Sequence, residues 1–329
     1  MKKILMVVLV LAMLLAMVGC GNSSEESATT SEAVVKEDLT FVVIPKCVHE
    51  WFELVNVGAE LQGQALAREL GVNVTVKYMA PEVVDVTAQN AMLEQAAAMH
   101  PAGITIDPVD LAGSMAVIES IQALGVPVVL FDAVELDSGL CSVGTDYTEQ
   151  GRMVAHELAR LLDGKGQVAV MHGAITASNH VDKYEGCLEG LAAYPNIEVV
   201  QGGASEDNIG VAQAQAAATL AAYPDLDGYL CVDAAAPIGI SVAIEEANKQ
   251  DQITFVGTEN LLQILEYVKS GTIIRSLTTN PQLEGALAVL TLYQAHIGMP
   301  IPKYIDTGVY WIDQTNVDEA IRMAKNGEF

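Results

Sequence analysis

Apolar and polar positions along this chain fall into two alternating patterns. Short β-branched runs recur, and each is followed by a longer stretch with helical spacing. FVVI (41–44) precedes a helix over about 51–70, and VNVTVKYM (72–79) precedes one over about 85–99. GITID (103–107) leads to a helix over 110–124, which VPVVLFD (126–132) follows. After Gly144 the pattern restarts. A helix over about 148–162 leads to QVAVMHG (167–173), and one over 180–193 leads to IEVVQGG (197–203). A helix over 208–222 leads to DGYLCVD (227–233), and one over 237–249 to ITFVGTEN (253–260). A helix over 261–269, the strand TIIRSLTTN (272–280), a helix over 281–296 and a last strand, VYWID (309–313), complete the body.

Strands that alternate with helices in this way form parallel sheets covered on both faces, and nearly continuous apolar runs are what doubly buried strands require. Gly and Pro punctuate the joints, at Leu70-Gly71, Tyr194-Pro195 and Tyr223-Pro224. The elements are too many for one compact sheet. The fold class is therefore α/β, with two lobes and a cleft between them.

In open parallel sheets a ligand sits beyond the carboxyl ends of the strands. Here those ends are polar: Lys46, His49, Trp51 and Phe52; Asp107; Asp132; His172 to Asn179; Glu206 to Asn208; Asp233; Glu259 and Asn260. An acid after a strand is often only the cap of the next helix. Polar residues at most of the strand ends together favour a polar cleft.

Composition narrows the partners. The chain has 329 residues, 51% of them apolar, enough for roughly two cored domains. Its 42 acids against 16 bases give a net charge of −26, which argues against nucleic acid and against electrostatic adhesion to anionic lipid. No CxxC or Cys/His metal spacing occurs, and no GxGxxG, GxxxxGK[ST] or GxSxG lies in a strand–turn–helix setting. No metal or cofactor is expected. The pairing of Cys47, Cys141, Cys187 and Cys231 stays open.

The N-terminus reads as a targeting segment. Lys2 and Lys3 precede 15 apolar residues, Ile4 to Val18, a length suited to a secretory signal and short for a membrane span. Val18-Gly19-Cys20-Gly21 then resembles a bacterial lipobox, although Val18 is less usual there than Ala or Ser. That resemblance implies cleavage before Cys20 and lipid on its sulfur. Residues 1–19 are thus a signal peptide, and 20–38 a lipidated Cys with a flexible acidic tether. Removal of the signal leaves 14 bases and 42 acids, a net −28.

At its strand ends the body resembles the periplasmic sugar-binding proteins of ABC importers, of the ribose-binding type, over about 39–320. FVVIPK and VDAAAPIG look most like the rhamnose and autoinducer-2 receptor branch. The resemblance implies two Rossmann-like lobes joined by three crossovers, near Gly144, near Thr279-Asn280 and near Ile305. The N-terminal lobe is then 39–144 plus 281–304, and the C-terminal lobe 145–280 plus 305–329. It implies a sugar or polyol ligand, an ABC permease and its ATPase as partners, contact with the membrane through the lipid only, and a monomer.

The family's contact positions carry over unevenly. Its aromatic pair is matched by Trp51 and Phe52, which can stack on a sugar face or simply begin a helix's core stripe. Its strand-end Asp is matched by Asp132, but the neighbouring Arg is replaced by Ala133. A second-lobe Arg is matched by Lys183, a point charge in place of a planar fork. Asp233 and Glu259 match strand-end acids, the family Gln falls at Thr279 beside Asn280, and Lys46 matches the Lys of the Ile-Pro-Lys start. The autoinducer-2 branch's acid–amide pair falls on Ala177 and Ser178, which argues against that ligand.

Two other readings compete. A ligand sensor could present its bound state to a membrane receptor. An exported enzyme could act on a small carbohydrate, with His49, His172 and His180 as parts, but six histidines without a triad or metal spacing make a poor case. The expected function is capture without chemistry.

Overall fold

The computed structural model describes residues 37–326, so the signal, the lipobox and Cys20 lie outside the described residues. Residues 37–326 hold two six-stranded sheets. The first takes β1 (Leu39–Ile44), β2 (Val74–Tyr78), β3 (Gly103–Ile106), β4 (Val128–Phe131), β5 (Cys141–Gly144) and β11 (Tyr304–Asp306), in the order β11-β5-β4-β3-β1-β2. The second takes β6 (Lys165–His172), β7 (Asn196–Ala204), β8 (Gly228–Leu230), β9 (Thr254–Thr258), β10 (Arg275–Thr278) and β12 (Tyr310–Asp313), in the order β12-β10-β9-β8-β6-β7. The two orders correspond strand for strand, so β4 in one lobe occupies the place of β9 in the other.

Helices cover both faces. The first sheet carries α1 (Glu50–Leu70), α2 (Val86–Ala97), α3 (Leu111–Ala123) and α9 (Pro281–His296). The second carries α4 (Tyr147–Leu161), α5 (Ser178–Ala192), α6 (Ile209–Ala222), α7 (Ala236–Glu246), α8 (Leu262–Ser270) and α10 (Val317–Asn326). β1 shows why its run is continuously apolar. Phe41 and Val43 enter one hydrophobic cluster, while Val42 and Ile44 enter another, and all four are fully buried. Each such side chain contributes about 1.5–3 kcal/mol, so both faces of the strand must be apolar.

One close helix crossing sets where several cleft residues lie. A Cβ at Gly151 of α4 would strike the Lys183 carbonyl oxygen, and one at Gly186 of α5 would strike that of Thr148. The backbones of α4 and α5 can touch only because both residues are glycine. That contact holds the first turn of α5 against the start of α4.

The structure corrects several expectations. β12 pairs antiparallel with β10, Thr278 opposite Tyr310 and Arg275 opposite Asp313, so the second sheet is not all parallel. The chain reaches this sheet from the cleft side after β11 and can only run back against β10. The third crossing lies later than Ile305, because Ile305 pairs with Val143 in the first sheet. Residues 307–309 make the crossing, and Thr307 ties it to the first by donating from N and Oγ1 to the Gly144 carbonyl, at 2.7 and 3.1 Å. β5 and β11 are too short to show a period, whereas α10 was missed although Val317, Ala320, Ile321 and Ala324 fall on one helical face. Cys47, Cys141, Cys187 and Cys231 are all unpaired and buried. No described helix is long and apolar enough to cross a membrane.

Candidate ligand-binding cleft

The carboxyl ends of both sheets face one cavity between the lobes. From the first lobe it is lined by Lys46, His49, Trp51, Phe52 and Asp132. From the second it is lined by His180, Lys183, Asp207, Val232, Asp233, Ala234 and Glu259. Direct contacts cross between the lobes. Asn179 Nδ2 donates to Asp132 Oδ2 at 2.7 Å, and Trp51 Nε1 donates to Glu259 Oε2 at 3.1 Å. The structure is therefore the closed arrangement.

The first-lobe wall starts where β1 ends. His49 caps α1 by accepting the Trp51 N–H at its Nδ1, 3.2 Å away, which brings Trp51 and Phe52 into the first turn beside the cavity. Their rings meet edge to face at 5.3 Å. Lys46 is 1% exposed, with its Nζ 2.8 Å from Asp107 Oδ2, 3.4 Å from Asp132 Oδ2 and 3.3 Å from Asn179 Oδ1. Burial opposes its charge, but Asp107, Asp132 and Asp207 outweigh burial and hold the ammonium above its usual range. Asp107 is fully buried behind Lys46. Desolvation raises its carboxyl strongly against the pull of that ammonium.

Asp132 and Glu259 occupy the same place in their lobes, just after β4 and β9. Both have positive φ, 50° and 68°, a conformation unfavourable for non-glycine residues and concentrated at functional sites. It turns each side chain out of the strand and over the cavity. Asp132 Oδ1 accepts from Tyr147 Oη at 2.7 Å, and its N–H donates to Glu284 Oε2 at 3.2 Å. Glu259 accepts from Thr279 Oγ1 at 2.7 Å and lies 3.4 Å from Lys183 Nζ. Asp233 accepts from Ser205 Oγ, and from the Ala236 N–H at 2.7 Å.

Of the residues singled out in the sequence, Lys46, His49, Trp51, Phe52, Asp132, Lys183, Asp233 and Glu259 line the cavity. Asn179 and Thr279 are buried beside it, bonded to Asp132 and Glu259. Three singled-out residues belong elsewhere. Asp107 lies behind Lys46. Glu206 is exposed, and its neighbour Asp207 faces the cavity in its stead. Asn280 caps α9, accepting the Leu283 N–H at 3.1 Å. His172 is also outside the lining, its ring 4.6 Å from that of Tyr184. Sequence reasoning reached Asp207 only within the polar stretch Glu206 to Asn208, missed Tyr147 and Glu284, and weighed His180 only as a catalytic part. A helical spacing of one turn from His180 to Lys183 was the available signal for His180.

His180, Asp207 and Asp233 have ligating atoms within 4.8 Å of one another. The set does not suit a metal ion. His180 Nδ1 accepts the Ala174 N–H at 2.9 Å, which leaves the ring proton on Nε2, the nitrogen facing Asp207. Burial, with Lys46, Lys183 and His172 nearby, holds the ring well below its usual pKa and so neutral. It is a donor to the cavity, not a metal ligand.

Burial pushes both Asp207 and Asp233 up to about 6. The folded chain therefore binds protons at pH values where the unfolded chain, near 3.8, does not. Their contribution to stability rises as pH falls from about 6 toward 4 and is lost as pH rises through 6. His180 and His49 act oppositely, since burial holds both folded values below 6.5. The raised carboxyls, with Asp182 also pushed up to about 6, outnumber them. The urea midpoint of the ligand-free protein should thus rise between about pH 7 and about pH 5. Relief of the net charge adds to this trend, so Asp207→Asn should flatten the rise. An equal rise in that variant would refute the assignment to Asp207.

Comparison with known proteins places this geometry. Residues 40–298 match the periplasmic binding protein domain family. A D-ribose/D-allose-binding protein of Pseudomonas aeruginosa is 25% identical over 284 residues, covering 84% of this chain and 86% of that protein. A xylitol-binding protein of Mycolicibacterium smegmatis is 24% identical over 246 residues, covering 72% of this chain and 68% of its own length. Among solved structures, an ABC transporter solute-binding protein of Burkholderia graminis in complex with D-arabinose superposes with a TM-score of 0.79 at 26% identity, covering 84% of this chain and 96% of that one. Two corresponding α/β lobes closing on one polar cavity are what that likeness describes, and with 40–298 matched this chain belongs to the periplasmic binding protein family.

Proposed function

We propose that this chain is a lipid-anchored extracytoplasmic solute-binding protein. It captures a sugar or polyol by closure of its lobes and delivers it to an ABC permease with its ATPase. It does no chemistry. The observation that carries this reading is the convergence of polar groups from both lobes on one cavity: Lys46 and Asp132 from the first, Lys183, Asp233 and Glu259 from the second. Carboxylates accept two hydroxyl hydrogen bonds each, ammonium groups donate to the remaining oxygens, and Trp51 and Phe52 offer ring surface to C–H faces. The relatives named above bind ribose or allose, xylitol and arabinose, whose hydroxyls match the polar groups of this cavity.

A ligand that touches both lobes binds the closed form better than the open one and shifts the population toward closure. The direct test is a thermal-shift screen over sugars, polyols and sugar acids, followed by solution scattering. At about 100 times its dissociation constant a true ligand should stabilise the protein by about 2.7 kcal/mol, and the radius of gyration should fall. A confirmed ligand that leaves the radius unchanged would rule out the two-lobe clamp.

Anchoring is tested separately. Cys20→Ala should leave the protein without lipid and released from membranes, or retained as a precursor. Lipid-bearing, membrane-bound Cys20→Ala protein would sink the lipobox reading.

A further inference from the structure

The charges of the cavity do not balance. Asp132, Asp207, Asp233 and Glu259 line it, against Lys46 and Lys183. Both ammonium groups are already engaged. Lys46 sits 2.8 Å from Asp107, which lies outside the lining, and Lys183 lies 3.4 Å from Glu259. Asp132 is met by the Tyr147 hydroxyl and the Asn179 amide. The excess negative charge is left at Asp207 and Asp233.

Asp207 is the least satisfied of them. Its side chain is 7% exposed, and its Oδ2 has no hydrogen-bond partner among the described residues. Its Oδ1 lies 3.9 Å from His180 Nε2, beyond hydrogen-bond distance. A buried carboxylate oxygen left unpaired is costly, and here a second carboxylate, Asp233, lies within 4.8 Å. A hydroxyl could bond one of these oxygens but would leave both charges uncompensated. A sugar acid would add a third. A metal ion is disfavoured because His180 Nε2 carries the ring proton.

We propose that the ligand of this cleft is a polyhydroxylated molecule carrying one protonated amine, an amino sugar or amino polyol, with the ammonium seated between Asp207 and Asp233. This rests on the sugar-binding reading above and narrows it. The three N–H bonds of an ammonium suit the free Oδ2 of Asp207 and the facing oxygens of Asp233, while the ligand's hydroxyls meet Asp132, Glu259 and the His180 Nε2–H. The raised values of Asp207 and Asp233 agree. Burial is the first cause for both, and each is further set by its surroundings: Lys46, Asp132, Lys183 and Glu206 around Asp207, and Asp207, Ser205, the Ala236 N–H and His49 around Asp233. A bound cation would stabilise both charged forms.

The test uses matched pairs on the purified chain: glucosamine with glucose, galactosamine with galactose, mannosamine with mannose, 1-amino-1-deoxysorbitol with sorbitol, and glucuronate as the acidic comparison. In at least one pair the amine should bind about tenfold or more tighter than its neutral partner by calorimetry. Asp207→Asn should collapse that ratio toward one, with the melting temperature of the variant reporting whether it is folded. The ratio in the wild-type protein should also shrink between about pH 7.5 and about pH 5, as the carboxyls protonate. Neutral members binding as well as or better than their amines, or glucuronate binding best, would overturn the amine assignment and leave the sugar reading standing. A panel in which no member binds would overturn both.

Discussion

Replacing Lys46 by methionine is expected to destabilise the fold by about 3–5 kcal/mol, the range measured when one partner of a buried ion pair is removed. Methionine keeps most of the apolar stem, so the loss isolates the charge. Without the ammonium, Asp107 stays fully buried with its ion-pair partner gone, and Asp132 loses the Lys46 charge 3.4 Å away. The carboxyl of Asp107 should then take up a proton in the folded state, so the variant's deficit should shrink as pH is lowered. Lys46→Met combined with Asp107→Asn removes both charges, and the pair should be less destabilised than Lys46→Met alone. Urea unfolding of the three proteins decides it. A single variant within about 1 kcal/mol of wild type would mean that the ion pair is not buried as described.

Asp132→Ala should have the largest effect on binding. Its carboxylate collects the Tyr147 hydroxyl, the Asn179 amide and the Lys46 ammonium, and it also faces the cavity. Truncation strips an acceptor from donors in a dry site, which costs about 2 kcal/mol or more, roughly a thirtyfold rise in dissociation constant. The bond from Asn179 crosses the cleft, so the closed form itself should be weakened. Backbone conformation adds a second signature. Residue 132 has φ of 50°, which Asn tolerates far better than Ala. Asp132→Asn should therefore retain about 1 kcal/mol more stability than Asp132→Ala while still binding the screened ligand weakly. Calorimetry showing Asp132→Ala within twofold of wild type would exclude this residue as a ligand contact.

The architecture was legible because it rests on periodicity. Doubly covered strands must be apolar on both faces, so runs such as FVVI and VAVM stand out, and the helices between them carry their own spacing. Strand ends were legible for the same reason. Once Ile44, Phe131, Val232 and Thr258 are placed in or beside a sheet, the polar residues after them must lie at its carboxyl edge. Lys46, Asp132, Asp233 and Glu259 were found in this way, and all four line the cavity.

Choices between neighbours were not legible. Glu206 and Asp207 are adjacent acids, both with positive φ, 52° and 53°. No periodic pattern runs through such a turn, so only the fold decides that Asp207 faces inward. Asp107 looked like a cleft acid because it ends β3, yet the long Lys46 side chain lies over it and turns it into a buried counter-ion. Tyr147 reaches Asp132 across the lobes, and Glu284 reaches it from α9, 152 residues away in the chain but in the same lobe. The reversed direction of β12 likewise follows from the side on which the third crossing enters the second sheet. Local spacing thus determined the strands, the helices and the edge on which a ligand would sit. Pairings between residues far apart in the chain were decided only by tertiary structure, because they depend on turns and crossings that leave no repeating trace in the sequence.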